Sequence, residues 1–281
     1  MTKNSRKTTR FIMYVFMWAG VLVIGFPIVY AFLGSFKTSQ EFLTAGANLL
    51  PKEWHWQNYV DAWMLADFKT YTFNSIAVAC GSVLITLIST TMTGYVLARV
   101  NFVGKKLLMA LFAAMLFVAG TVTLFPTFLM ARNLGLTSSL WGMIITLTAG
   151  AQPINSILVM NYVQGIPKEL DESGRIDGCG FFRIFFSIIL PIVKPIIATV
   201  GILEFRAAWN NYMIPLAFTL SSPKLRTLTV GVVMLKDQGE GISSWNLMIA
   251  GTVISLLPIL IVYLFFNKWF IAGMTEGAVK G

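Results

Sequence analysis

The chain has 281 residues, 56% of them hydrophobic and 12% charged, with a net charge of +9. Soluble domains carry about a quarter charged residues, so there is too little polar surface here for a water-soluble fold, and the surplus apolar surface is expected to face a lipid bilayer. The single histidine, His55, excludes a histidine-cluster metal centre and most histidine-based catalysis; no metal site and no catalytic residue is expected.

A membrane-crossing helix needs about 20 apolar residues. Six blocks qualify: 11–36, 71–97, 107–130, 140–162, 188–220 and 247–271. The first follows a tail, residues 1–10, that carries Lys3, Arg6, Lys7 and Arg10. Its apolar part is too long for a secretory leader and no small-residue cleavage pattern follows, so it reads as a retained span. The fifth block is overlong, and its first part is expected to lie at the interface ahead of the true span. Pro27, Pro126, Pro153 and Pro258 fall inside blocks one, three, four and six, and each is expected to kink its helix. The predicted fold is an all-α integral membrane protein, one transmembrane domain over residues 1–281 with six spans.

Basic residues set the orientation. They concentrate in the N-terminal tail, in the loop after block two (Arg99, Lys105, Lys106) and in the loop after block four (Lys168, Arg175, Arg183, Lys194). By the positive-inside rule these sides are cytoplasmic, so both termini are expected inside. The basic excess therefore reads as a topology signal rather than a nucleic-acid surface. Cys80 and Cys179 then lie on opposite sides of the bilayer midplane, and no disulfide is expected.

Segment 37–70 is expected outside, where Trp54, Trp56 and Tyr59 of "PKEWHWQNY" suit an interfacial cap. Mid-membrane, "GAQPINS" brings Gln152 and Asn155, groups that sugar hydroxyls require. The cytoplasmic loop 163–187 holds the most charged run of the chain, "IPKELDESGRIDGCG". Pro167 followed by Glu169, Asp171 and Glu172 starts a helix, and Gly178 and Gly180 stop it. The predicted helix covers 168–177, with Leu170, Gly174 and Asp177 on a shallow face suited to docking on a cytoplasmic partner.

Glu204 and Arg206 lie within the fifth block, and intramembrane charge marks function by default. Two residues apart, they point to opposite sides of the helix. Glu204, Ala208, Asn211 and Pro215 would share one face, and Arg206 and Asn210 another. Pairing with neighbouring spans and lining a pathway stand as equal readings. The second long outer segment is 221–246, and its "KDQGEGISSW" reads as a flexible probe. A tail, 272–281, ends the chain. There is no phosphate-binding glycine loop, so any ATP must be hydrolysed elsewhere. The absence of an obvious internal repeat counts against an inverted-repeat secondary transporter. An ion-coupled transporter using Glu204 and Arg206 remains the alternative from a different class.

"ELDESGRIDG", "ILPIVKP", "FRAAWNNYMIPL" and "LRTLTVGV" together resemble the permease subunits of ATP-binding-cassette (ABC) importers, the carbohydrate permeases of the maltose-transporter type above all. "NYVDAW", "NSIAVA", "GYVLARVNFVGKK", "NLGLTSSLWG" and "GMTEGAVKG" follow in the family's order. The family's cytoplasmic Glu-Ala-Ala-x-x-x-Gly motif falls on Glu172, Ser173, Gly174 and Gly178, with Ser-Gly in place of Ala-Ala. The resemblance implies a type I ABC importer permease fold and a coupling helix, with Glu169, Glu172, Ser173, Gly174, Asp177 and Gly178 meeting an ATPase subunit. It implies a second, homologous permease, two cytoplasmic ATPase subunits that carry ATP and Mg, and an extracytoplasmic solute-binding protein. Binding-protein contact would fall on Asp237, Gln238, Gly239, Glu240 and Gly241. ATPase contact by the tail would fall on Thr275, Glu276 and Lys280. Gln152, Asn155, Glu204, Arg206, Asn210 and Asn211 are the candidates for the pathway. The implied location is the cytoplasmic membrane of a bacterium or archaeon, and the implied cargo is a sugar, with a non-sugar solute as the alternative.

Overall fold

The computed structural model describes residues 3–44, 48–238 and 244–278, and all its regular elements among these residues are helical. In chain order they are α1 (Lys3–Gly34), α2 (Ser39–Thr44), α3 (Gln57–Leu65), α4 (Phe68–Arg99), α5 (Lys105–Met115), α6 (Gly120–Asn133) and α7 (Leu140–Gln164). They continue with α8 (Glu169–Ile176), α9 (Phe181–Ile192), α10 (Lys194–Trp209), α11 (Met213–Thr219), α12 (Leu228–Met234) and α13 (Trp245–Ala278).

Four helical stretches are long and apolar enough to cross a membrane: Ile12–Gly34, Phe68–Arg99, Leu140–Gln164 and Trp245–Phe265. The expected third and fifth spans are each split. The axes of α5 and α6 differ by 113°, and those of α9 and α10 by 76°. Six spans result if each bent pair is one span. With 11 and 14 residues, α5 and α6 reach about 17 and 21 Å, short of a hydrocarbon core of roughly 30 Å. The bends do not fall where prolines were expected to place them. Pro27, Pro126, Pro153 and Pro258 all lie inside continuous helices. The α5–α6 bend is a tight turn in which Leu116, Phe117 and Val118 donate to carbonyls three residues back. The α9–α10 bend sits at Val193, just before Pro195, which has no N–H to continue the ladder.

The chain divides into two compact units, Met1–Phe68 with Gly231–Leu256, and Lys69–Val230 with Leu257–Gly281. In the first, the expected aromatic cap is built around Phe36. Its ring meets Trp56 at 4.6 Å, Trp54 at 4.9 Å and Tyr59 at 5.3 Å. Asn58 fastens the cap: its amide donates to the Ser35 and Lys37 carbonyls at 2.8 and 2.9 Å and accepts from Asn246 at 2.9 Å.

In the second unit α7 is central, packing on α5, α6, α10 and α11. It also lies close along α4. A Cβ on Gly81 would fall 2.7 Å from Ile144, and one on Gly94 would fall 2.7 Å from Val159. Contacts advance along both helices together, so α4 and α7 run parallel, brought close by small residues as membrane helices commonly are. Near Gly94 an apolar core of Tyr95, Val159, Val163, Ile166, Ile184, Phe185, Ile189, Val193 and Ile196 joins α4, α7, α9 and α10. The segment after α7 rests on this floor. The expected outer loop 221–246 is partly packed. Asn74 donates to the Lys224 and Arg226 carbonyls, Ser75 accepts from the Leu228 N–H, and Leu228 and Val230 are buried at the start of α12.

Candidate functional site

The loop between α7 and α9 contains α8 much as its sequence dictates. Three acids, Glu169, Asp171 and Glu172, lie in the first turn and Arg175 in the last, matching the helix dipole. The end is a complete glycine C-cap. Gly178 adopts φ +78°, its N–H donates to the Arg175 carbonyl at 3.0 Å, and the Cys179 N–H donates to the Gly174 carbonyl at 2.9 Å. Both cysteines are free, as expected.

The faces of α8 differ from expectation. Gly174 is not on a free face: a Cβ there would lie 2.9 Å from Ile188 Cδ1 and 3.1 Å from Ile184 Cγ1. Gly174 and Asp171 are the buried residues of the helix, three apart and turned inward. The free face is instead Glu169, Glu172, Ser173 and Ile176, at the i, i+3, i+4, i+7 spacing of one helical stripe. Ile176 is 86% exposed, an apolar side chain in the open on an otherwise charged helix. Leu170, Arg175 and Asp177 flank this stripe and are also exposed.

Asp171 meets the cytoplasmic-predicted end of α4. Its Oδ2 pairs with Arg99 Nε at 3.0 Å, with the two side chains 8% and 5% exposed, and its Oδ1 accepts from the Tyr95 hydroxyl at 2.9 Å. Arg99 Nη2 also donates to the Ile166 carbonyl at 2.9 Å. In the sequence Arg99 is legible only as a topology charge, and Tyr95 carries no signal of its own. The available signal was an acid in the loop with a basic residue and a tyrosine one turn apart at the end of an apolar block.

The membrane-embedded candidates separate into two groups. Gln152 ties α7 to α4: its Oε1 accepts from Ser89 at 2.8 Å and its Nε2 donates to Thr93 at 3.3 Å. Asn155 and Glu204 are buried. Arg206 and Asn210, on the other side of α10, are exposed. The continuous face expected from Glu204 to Pro215 does not exist. The helix stops at Trp209 and restarts at Met213, and Asn211 accepts from the Ile214 N–H at 3.1 Å at the start of α11. The restart follows from two consecutive asparagines, whose side chains compete for backbone groups.

Of the outer candidates, Asp237 is exposed and Gln238 ends a short 3-10 turn, Leu235–Gln238. Gly239, Glu240 and Gly241 lie outside the described residues, as does Lys280. Thr275 and Glu276 belong to α13, which runs on to Ala278, past the span end expected at residue 271.

The family model for the inner membrane component of binding-protein-dependent transport systems matches residues 90–276. The chain belongs to this family, and is therefore a membrane-embedded permease. Among its relatives is the arabinooligosaccharides transport system permease protein AraQ of Bacillus subtilis, 35% identical over 271 residues that cover 95% of this chain and 94% of that one. The probable ABC transporter permease protein YurM of the same organism is 32% identical, covering 95% and 88%. In fold the chain is similar to the solved structure of a bacterial ABC transporter involved in the import of the acidic polysaccharide alginate, with a TM-score of 0.78 and 24% identity over 96% of this chain and 99% of that one. Binding-protein-dependent transport, not ion coupling through Glu204 and Arg206, is thus the class to which the chain belongs.

Proposed function

We propose that this permease forms half of the pathway by which a sugar or oligosaccharide, released by an extracytoplasmic binding protein, enters the cell. Two separate ATPase subunits, carrying ATP and Mg, drive the cycle, and a homologous second permease supplies the other half of the pathway. The chain itself is non-catalytic. It sits in the cytoplasmic membrane with both termini inside. The sugar assignment rests on relatives such as AraQ and the melibiose/raffinose/stachyose import permease protein MelC of Bacillus subtilis, 32% identical over 83% of this chain.

The observation that carries the coupling role is the two-sided character of α8. One face is locked to the permease through Asp171 and Gly174, and the other offers Glu169, Glu172, Ser173 and the bare Ile176. An exposed isoleucine ringed by charge is an anchor for a partner's apolar groove. Gly178 ends the helix and Asp177 borders it.

Arg206 and Asn210 line the pathway in this reading. An arginine facing lipid is costly, so their exposed face of α10 turns to water or to the second permease. Gln152 holds α7 to α4, Asn155 and Glu204 are buried, and Asn211 starts α11. Binding-protein contact falls on 237–241, and the end of the chain, with Thr275, Glu276 and Lys280, adds ATPase contact.

The test is co-purification. The detergent-solubilised permease, expressed in its own host, is expected to retain an ATPase subunit. Ile176→Asp with Glu172→Lys is expected to lose that subunit while still inserting in the membrane. A wild-type chain that retains no ATPase would sink the proposal.

A further inference from the structure

We infer that Asp171, Arg99 and Tyr95 form a fixed joint that makes α8 and the end of α4 move as one piece. Arg99 and Tyr95 then act as positioning residues for the coupling step. This rests on the reading that α8 receives the motion of an ATPase.

Both carboxylate oxygens of Asp171 are engaged by α4, at 2.9 Å by Tyr95 and at 3.0 Å by Arg99. The same guanidinium donates to the Ile166 carbonyl at 2.9 Å, on the chain just before α8. One side chain of α4 therefore grips both the entry to α8 and its first turn. Tyr95 adds a third direction, its ring 5.1 Å from those of both Phe181 and Phe185 in α9.

The contrast with the other side of α8 matters. Against α9 the helix makes apolar contact, Gly174 on Ile184 and Ile188. Apolar contact is non-directional. The α4 side differs: Arg99 Nε and Asp171 Oδ2 are a buried ion pair at 3.0 Å without hydrogen-bond geometry between them, and the directed bonds on either side of it, Tyr95 hydroxyl to Asp171 Oδ1 and Arg99 Nη2 to the Ile166 carbonyl, fix angle and register. Burial strengthens these contacts further, because water cannot replace the lost partner. A displacement imposed on α8 therefore reaches α9 through packing alone, and reaches α4 through directed polar contacts. Gly94, next to Tyr95, is where α4 lies within contact of the α7 backbone, at Met160 N. The displacement thus enters the α4–α7 pair at a point of close contact.

The experiment is hydrogen–deuterium exchange on the permease purified with its ATPase, without nucleotide and trapped with MgATP and vanadate. In the wild type, trapping is expected to change exchange in α8 and in residues 95–104 together. In Asp171→Asn the α8 response is expected to persist, while the response of 95–104 falls about tenfold. Tyr95→Phe keeps the ring and removes one hydroxyl, so it folds even where Asp171→Asn does not, and a fall of about threefold is expected. A purely structural joint would raise exchange without nucleotide and leave the trapping response of 95–104 intact in both variants, which overturns the inference. So does a wild type in which α8 responds and 95–104 does not. Failure to retain an ATPase is seen at the purification step; it overturns the importer reading and takes the joint with it.

Discussion

Gly174 and Gly178 sit four residues apart and do different work. Gly178 supplies a positive φ, which a side chain disfavours, so Gly178→Ala is expected to cost about 1 kcal/mol. Gly174 supplies room. The motif that this stretch resembles has alanine there, yet here Ile188 and Ile184 occupy the space of a methyl group. Gly174→Ala is therefore expected to destabilise by about 1–3 kcal/mol through overpacking. Removing the Ile188 Cδ1 methyl in Gly174→Ala with Ile188→Val is expected to recover most of that loss. Thermal unfolding of the detergent-solubilised protein checks both; equal melting temperatures for the single and double variants would refute the packing account.

The cap over the end of α1 is an element held by one side chain more than any other. Asn58 satisfies two carbonyls and Asn246, and it is buried. Asn58→Ala leaves these groups unpaired, at about 1–3 kcal/mol. Lys52, exposed beside the cap, reports the opening. Trypsin is expected to cut there several-fold faster in Asn58→Ala, and at an unchanged rate around α8. A change at both places would mean that the variant loosens the whole fold. Arg206→Ala is expected to reduce transport without lowering the melting temperature, and Gln152→Ala, which removes the side-chain link between α7 and α4, to lower the melting temperature. The reverse pattern would remove Arg206 from the pathway.

For the whole molecule, the charge distribution predicts that α8 lies inside and residue 237 outside. In a Cys80→Ser, Cys179→Ser background, a membrane-impermeant maleimide is expected to label Asp237→Cys in intact cells. It is expected to label Ile176→Cys only in inside-out vesicles. Labelling of both from one side would break the topology, because the bent pair α9–α10 is the expected crossing between the two positions and would then not span the bilayer.

Composition alone placed the chain in a membrane, because too few polar residues exist to clothe a soluble fold. Hydropathy located the apolar blocks, and the basic loops gave them a predicted orientation; local signals drew α8 to within a residue at each end. These properties are local: they depend on residues a few positions apart, and the sequence lists those positions directly. The bends at 116–119 and at Val193, the inward turn of Gly174, and the meeting of Asp171 with Arg99 across 72 positions were not legible. Each depends on which surface another helix presents. A helical wheel shows that two residues share a face, but only packing decides which face is free.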